Sequence, residues 1–422
     1  MTPAERAPSR NQERGQIVVL LAFALPMLLL ALGLAVDLGV AFVTKAKLSK
    51  AVDGACLTAM RNLSLGQATA STLALSNFNA NYGSTSFDAV PPAVSVSFST
   101  DANGQTLVNI NATSTIRTYF MAILPEDQTL SVSDSAQATR GKLVMSLIVD
   151  RSGSETSDGG STALPPAATS FINYFDNTND EVAMVSFASN ATVDVSIQSN
   201  FITPITNAIK AISWGGGTFG LGGLTLAKAQ NDSVPVVAGQ NVVKVVVYFT
   251  DGYVNTIQDT FNCTSSLGKT LYNYGGYDSG TSVDFLKPTD GTDWGGLDMN
   301  GNPPHSPLPD CTGVTKFTSQ INGQQLSFTR SNVTADAQYR ALATANAMRA
   351  EGMYVYSVGL GTGVDTAFLQ QVANDPASST YNSTQPAGMA VFAANCPSSQ
   401  CSAELQQVFQ TIAANILLRL TQ

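Results

Sequence analysis

The chain has a single histidine in 422 residues, and His305 sits in the proline-rich stretch NPPHSPLPD. Such surroundings mark an exposed loop residue, which leaves any histidine-based triad without partners. A GxSxG elbow, a GxxxxGK[ST] phosphate loop and an HExxH helix are also missing. These absences disfavour catalysis. Charge is scarce: 12% of residues are charged against 44% hydrophobic, and 30 acidic residues outweigh 21 Lys and Arg. An acidic chain with no basic cluster is unsuited to nucleic acid. There are five cysteines, and none has the CxxC or Cys/His spacing of a zinc site.

Against that background one short segment carries chemistry. The apolar run Leu143 to Val149 reads as a buried strand and is followed by Asp150, Ser152 and Ser154 in the stretch LIVDRSGSE. The Asp-x-Ser-x-Ser spacing therefore falls on the loop leaving the strand's carboxyl end, where open α/β sheets bind ligands. A carboxylate and two hydroxyls are hard oxygen donors, suited to Mg²⁺ far better than to zinc or copper. Further on, WGGGTFGLGGLTLA sets Thr218 after three glycines and ahead of a helix-like segment. The β-branched run VVKVVVYF, Val242 to Phe249, reads as a second buried strand and ends in Thr250-Asp251-Gly252.

Strand, DxSxS, glycine-flanked Thr, second strand and TDG, in that order, resemble the von Willebrand factor type A domain and its metal-ion-dependent adhesion site. The resemblance covers about Lys142 to the C-terminus. Matched residue by residue, it implies Asp150, Ser152, Ser154, Thr218 and Asp251 as direct or water-mediated ligands of Mg²⁺, with Mn²⁺ or Ca²⁺ as alternatives. Two Asp and three hydroxyls leave an octahedral ion one open position. A partner's acidic side chain would fill it.

At the other end, Ile17 to Val36 holds no charge for twenty residues. That is enough for about 30 Å of helix and one bilayer crossing, with Pro26 tolerated inside it. Arg6, Arg10 and Arg14 precede the span and Lys45, Lys47 and Lys50 follow it, so charge counting leaves orientation tied. Past the span, Leu48, Val52, Cys56 and Met60 recur every four residues on an amphipathic helix. Arg14-Gly15, the span, Val36-Asp37-Leu38-Gly39 and the run from Lys47 to Ala55 resemble the TadE/TadG-like group of tight-adherence (Tad) pilus assembly proteins. Where members of that group carry a prepilin-type leader, processing follows a glycine, here Gly15. This chain departs from the leader pattern, having Leu20 where a prepilin has Glu. Asp37 is expected either to be hydrated at the interface or to pair with a neighbouring subunit.

The expected organisation is a cytoplasmic leader (1–15), a transmembrane helix (16–44), a helix with a small antiparallel sheet (45–140), and an A domain (142–422). The small sheet is read from the alternating stretches Val94 to Thr100, Thr106 to Thr115 and Leu130 to Ala138, with Asn103-Gly104 as a hairpin signal. This is a pilin-like α+β module ahead of an α/β fold with a doubly wound, mostly parallel sheet. Within the A domain, strands are expected at Glu181 to Ala188, Met353 to Gly359 and Met389 to Ala393. Helices are expected at Ile202 to Ile212, Thr334 to Glu351 and Ala403 to Leu420.

Residues 255–331 break the alternation and read as a long insertion rich in Gly, Asn, Asp and Tyr, beginning beside the proposed metal. Asp298, Asn300 and Asn302 mimic the start of a calcium loop that lacks its glycine and terminal Glu. Cys263 and Cys311 bracket most of the insertion, and Cys396 and Cys401 close CPSSQC, leaving Cys56 as a buried small hydrophobe. Two bridges among the four would fit an oxidising compartment, and sequence leaves their connectivity open. If bridged, they put the A domain outside the cytoplasm and break the topology tie. The expectation is a single-pass bacterial inner-membrane protein, its bulk periplasmic or surface-exposed, acting in pilus assembly or adhesion. Its partner would be a pilus subunit, an assembly component or a surface ligand. Two alternatives stay open: a structural minor pilin-like subunit needing no metal, and a cytoplasmic partner of a ring ATPase.

Overall fold

The computed structural model describes residues 12–83, 90–101, 105–123, 128–236, 238–252, 254–259, 273–277, 283–286, 316–327 and 329–420. His305, Cys263, Cys311, Asp298, Asn300, Asn302 and the Asn103-Gly104 turn lie outside them. The chain divides into two compact units, residues 1–101 with 106–139, and residues 102–105 with 140–422.

The first unit opens with α1 (Gln12–Arg61), continuous through Pro26, and adds α2 (Gln67–Tyr82). Three strands follow, β1 (Ala93–Thr100), β2 (Thr106–Arg117) and β3 (Thr129–Thr139), paired antiparallel in that order. The apolar side chains from Ile17 to Val36 stay largely exposed, as a lipid-facing segment requires. Among the described residues α1 is the one helix long and apolar enough to cross a membrane. Its later turns bury Leu48, Val52, Cys56 and Met60 against Ala74, Phe78 and Tyr82 of α2 and Val108, Ile110 and Ala112 of β2. Those three β2 residues share one face by the two-residue period of a strand.

Asp37 corrects both expectations made for it. It is 2% exposed, and the groups it meets are backbone amides of its own chain. Oδ1 accepts the Tyr119 N–H at 2.8 Å, and Oδ2 accepts those of Phe120 and Met121 at 3.0 and 2.8 Å. Three consecutive backbone donors make a concavity that suits an anion. One turn earlier Gly33 leaves room for Phe120, whose ring would lie 2.5 Å from a Cβ there.

The second unit follows the order β4 (Lys142–Asp150), α3 (Ser154–Ser157), α4 (Gly160–Ile172), β5 (Glu181–Phe187), β6 (Ala191–Gln198), α5 (Ile202–Lys210), α6 (Gly220–Asp232) and β7 (Val242–Thr250). After β8 (Thr256–Asp259), β9 (Asn273–Tyr277), β10 (Val283–Leu286), β11 (Lys316–Thr318) and β12 (Gln325–Ser327) come α7 (Arg330–Ala350), β13 (Tyr354–Leu360), α8 (Thr366–Ala373), β14 (Ala390–Ala393) and α9 (Cys401–Arg419). The central sheet has the order β14-β13-β7-β4-β5-β6, parallel except for β6. Alternation along the strands builds two cores. Leu143, Met145, Leu147 and Val149 of β4 meet α4, α5 and α9, while Ile148 faces the opposite core with residues of α6, α7 and α8. Strands buried on both faces read as unbroken apolar runs, which is why β4 and β7 are legible in the sequence.

Three differences from the sequence expectation stand out. Edge strand β6, ATVDVSIQ, alternates polar and apolar residues as β1 does and carries a legible strand signal beside the stronger apolar runs of the central strands. Helix α4 carries Pro165 and Pro166 in its interior, and α8 has only eight residues, each of which obscures a helical period in the sequence. The insertion is not a bare loop. Its described residues hold an antiparallel sheet β10-β9-β8 and a hairpin β11-β12, whose strands are only three to five residues long and, in β9, interrupted by two glycines.

Candidate metal centre

Asp150 ends β4 and Asp251 follows β7, its parallel neighbour in the middle of the sheet. From β4 the chain passes along one face through α4 to β5, and it later returns along the other face through α6 to β7. The strand order therefore reverses at the β4–β7 boundary, where the carboxyl ends of the strands leave a crevice. Asp150 is fully buried; its Oδ1 accepts the Ser152 N–H at 2.8 Å, the turn a short Asp side chain makes with backbone two residues on. Its Oδ2 accepts the Thr250 hydroxyl at 2.6 Å. Ser152 and Ser154 Oγ atoms lie 3.2 Å apart, and Ser154 Oγ donates to Asp251 Oδ1 at 2.9 Å.

The backbone of Thr218 is tied to the segment that follows β7. Its N–H donates to Asn255 Oδ1 at 2.7 Å, and its carbonyl accepts the Asn255 and Thr256 N–H groups. The preceding glycines clasp the DxSxS loop: Gly215 N–H donates to the Arg151 carbonyl at 2.8 Å and Gly153 N–H to the Gly216 carbonyl at 3.1 Å. Gly216 has φ 94° and would place a Cβ 2.6 Å from Ser189 Oγ, so the turn admits only glycine. Of the five residues singled out in the sequence, Asp150, Ser152, Ser154 and Asp251 are joined by one hydrogen-bond network or loop turn, and Thr218 lies two residues beyond the glycine turn that clasps that loop.

Two residues were missed. Thr250 steadies Asp150 from within the TDG motif itself. Glu155, next to Ser154 on α3, is 0% exposed, and carboxylate oxygens of Asp150, Glu155 and Asp251 all lie within 4.8 Å of one another. No sequence signal separates a buried Glu on a one-turn helix from a solvated one.

The electrostatics are those of crowded, dehydrated acids. Burial pushes Asp150 up to about 6 against the hydrogen bonds from Thr250 and Ser152. Burial and then the Asp150 charge push Asp251 up to about 8, with the Ser154 hydroxyl pulling the other way. Glu155 is held well above the ordinary glutamate range by burial, then by Asp251 and Asp150. Among the described residues Asp251 Oδ2 and both Glu155 oxygens have no hydrogen-bond partner. Arg151 is committed elsewhere, donating to Ser186 Oγ and Asn190 Oδ1. Buried carboxylates without a counter-charge are costly, and a divalent cation is the simplest remedy. The donor set is all oxygen, so the residues fit a hard cation.

Comparison with known proteins agrees with this geometry. Residues 145–282 match the von Willebrand factor type A domain model. The larger unit has the von Willebrand factor type A fold. Residues 15–62 match the family model described as putative Flp pilus-assembly TadE/G-like, and the two matches together give the order of a TadG-like chain. No curated protein matches the sequence. Among solved structures, the PilB minor pilin from Streptococcus sanguinis shares 15% identity over 80% of each chain, with a TM-score of 0.40. The pilus adhesin SpaC from Lactobacillus rhamnosus GG shares 14% over 78% of this chain and 34% of its own, at 0.41. The vWF domain of the type V pili tip protein Mfa5 from Porphyromonas gingivalis shares 14% over 68% of this chain and 98% of its own, at 0.39. None of these distant likenesses bears on function.

Proposed function

We propose that this chain is a membrane-anchored pilus-assembly or adhesion protein whose A domain binds a protein partner through a divalent cation. Asp150, Ser152, Ser154, Thr218 and Asp251 would hold the ion, with Mg²⁺ first and Mn²⁺ or Ca²⁺ as alternatives. The carrying observation is a pair of buried aspartates at neighbouring strand ends, wired to serine hydroxyls, with Asp251 Oδ2 left without a partner. The ion would supply a Lewis-acidic position for a partner's carboxylate; the chain's own residues fix its place and exclude water around it. Nothing in that arrangement calls for turnover.

The apolar span of α1 would anchor the chain in the inner membrane after a short cytoplasmic leader (1–15), with the span in 16–44, the helix-and-sheet module in 45–140 and the A domain in 142–422. The Cys396–Cys401 disulfide supports an oxidising compartment, and so a periplasmic or surface location, over a cytoplasmic partner of a ring ATPase. Asp150→Ala in the full chain tests the reading. The expected result is exported, folded protein that loses both Mg²⁺ uptake by calorimetry and pilus formation. Folded mutant protein that still builds pili at the wild-type level would favour a structural minor pilin-like role instead.

A further inference from the structure

Glu155 is a buried acid that the five-residue site does not use. Neither of its oxygens has a hydrogen-bond partner among the described residues, although the side chain is 0% exposed. A protonated glutamic acid in that position would have to donate to the neighbouring Asp150 or Asp251 carboxylate, which leaves those acids still without a counter-charge. A charged one would need a cation, and the guanidinium of Arg151, in the same loop, is directed to Ser186 and Asn190. The side chain nevertheless reaches toward Asp150 and Asp251, with carboxylate oxygens of all three inside 4.8 Å.

The backbone makes room for this placement. A Cβ on Gly160, at the start of α4, would fall 1.5 Å from Glu155 Oε2. The neighbouring Gly159 adopts φ 85°, turning the chain so that α4 starts there. Two consecutive glycines thus create the space that Glu155 fills.

We infer that Glu155 is a third carboxylate of the metal centre, turned onto the cation from the chain itself. This rests on the metal reading given above and sharpens it. Three carboxylates outweigh a divalent ion's charge, so the centre holds its cation more tightly than two aspartates would. Glu155 also takes a coordination position that water or a partner would otherwise have. A partner's acidic side chain must therefore displace Glu155, and recognition becomes a competition between two carboxylates.

The test uses the full chain in detergent with Mn²⁺ as the probe, free ion read by electron paramagnetic resonance and inner-sphere water by water-proton relaxation. Glu155→Gln keeps the shape and removes the charge; it should weaken Mn²⁺ binding at least tenfold and add about one inner-sphere water. Gly160→Ala leaves the charge but fills the space behind Oε2, and it should reproduce the loss even where Glu155→Gln folds poorly. Wild-type affinity and hydration in both variants, with Mn²⁺ lost in Asp251→Asn, overturns the role of Glu155 while the metal centre stands. A wild-type chain that takes up no Mn²⁺ overturns the metal centre, and the role of Glu155 with it.

Discussion

Asp37 and Asp251 are both buried aspartates, yet their surroundings are opposite. Asp37, in the helix-and-sheet unit, meets three backbone N–H groups at 2.8–3.0 Å. Asp251, in the A domain, has one oxygen on Ser154 and the other on nothing, with Asp150 and Glu155 as its neighbours. A carboxylate surrounded by donors is a fastener, because its charge is already answered. One surrounded by other carboxylates stores unfavourable energy that a cation can release. The A domain itself supplies the control: Asp180 receives two 2.6 Å hydrogen bonds from Arg140 and further ones from the Leu143 and Asp176 N–H groups. Burial alone therefore does not mark the metal centre; missing partners do.

A first test of that contrast is Asp180→Ala. Removing one half of a buried ion pair strands Arg140 and should cost about 3–5 kcal/mol, read from urea unfolding of the second unit by tryptophan fluorescence. A loss below about 1 kcal/mol would place Asp180 with the idle acids and blur the distinction.

A pH titration in chelator sharpens the other side. Unfolded aspartates release their protons near 4, whereas Asp150 does so at about 6 and Asp251 at about 8 when folded. Between those limits the folded state holds more protons than the unfolded one. Stability should therefore fall as pH rises from about 4 to 8, by about 1.4 kcal/mol per pH unit for each proton retained. Saturating Mg²⁺ should flatten the curve, adding about 2.7 kcal/mol at a hundredfold excess over Kd. A chelated chain that grows more stable over that range would mean the acids are answered by something other than a cation.

The smallest effect is expected at Asp37. Asp37→Ala deprives Tyr119, Phe120 and Met121 of their acceptor and should cost about 1–2 kcal/mol, appearing as faster amide exchange at those three residues. Asp37→Asn keeps an acceptor and should lose less. Neither change should alter Mg²⁺ uptake.

How much of this was readable beforehand follows from how local each signal is. Asp150, Ser152 and Ser154 sit within five residues at the end of an apolar run, and TDG ends another, so strand, loop and ligand type are all written in neighbouring letters. The stripe Leu48, Val52, Cys56 and Met60 is equally local and is buried as its period requires. Edge strand β6 carries an alternation that the longer apolar runs overshadow, and the strands β8, β9 and β10 have only four or five residues each, too few to set a period. Asp37 was misread because its donors lie 82 to 84 residues away.

The apolar span, the alternation of strands and helices, and a loop set rich in hard oxygen donors can all be read along the chain, because each depends on periodicity or spacing. Which acids are answered is a matter of packing. Whether a carboxylate meets three N–H groups, a guanidinium or two more carboxylates is fixed by segments that packing brings together from far apart. The stretch LIVDRSGSE contains Glu155 in plain view, but only the glycine turn at 159–160 and the return of β7 make it a buried acid facing Asp150 and Asp251.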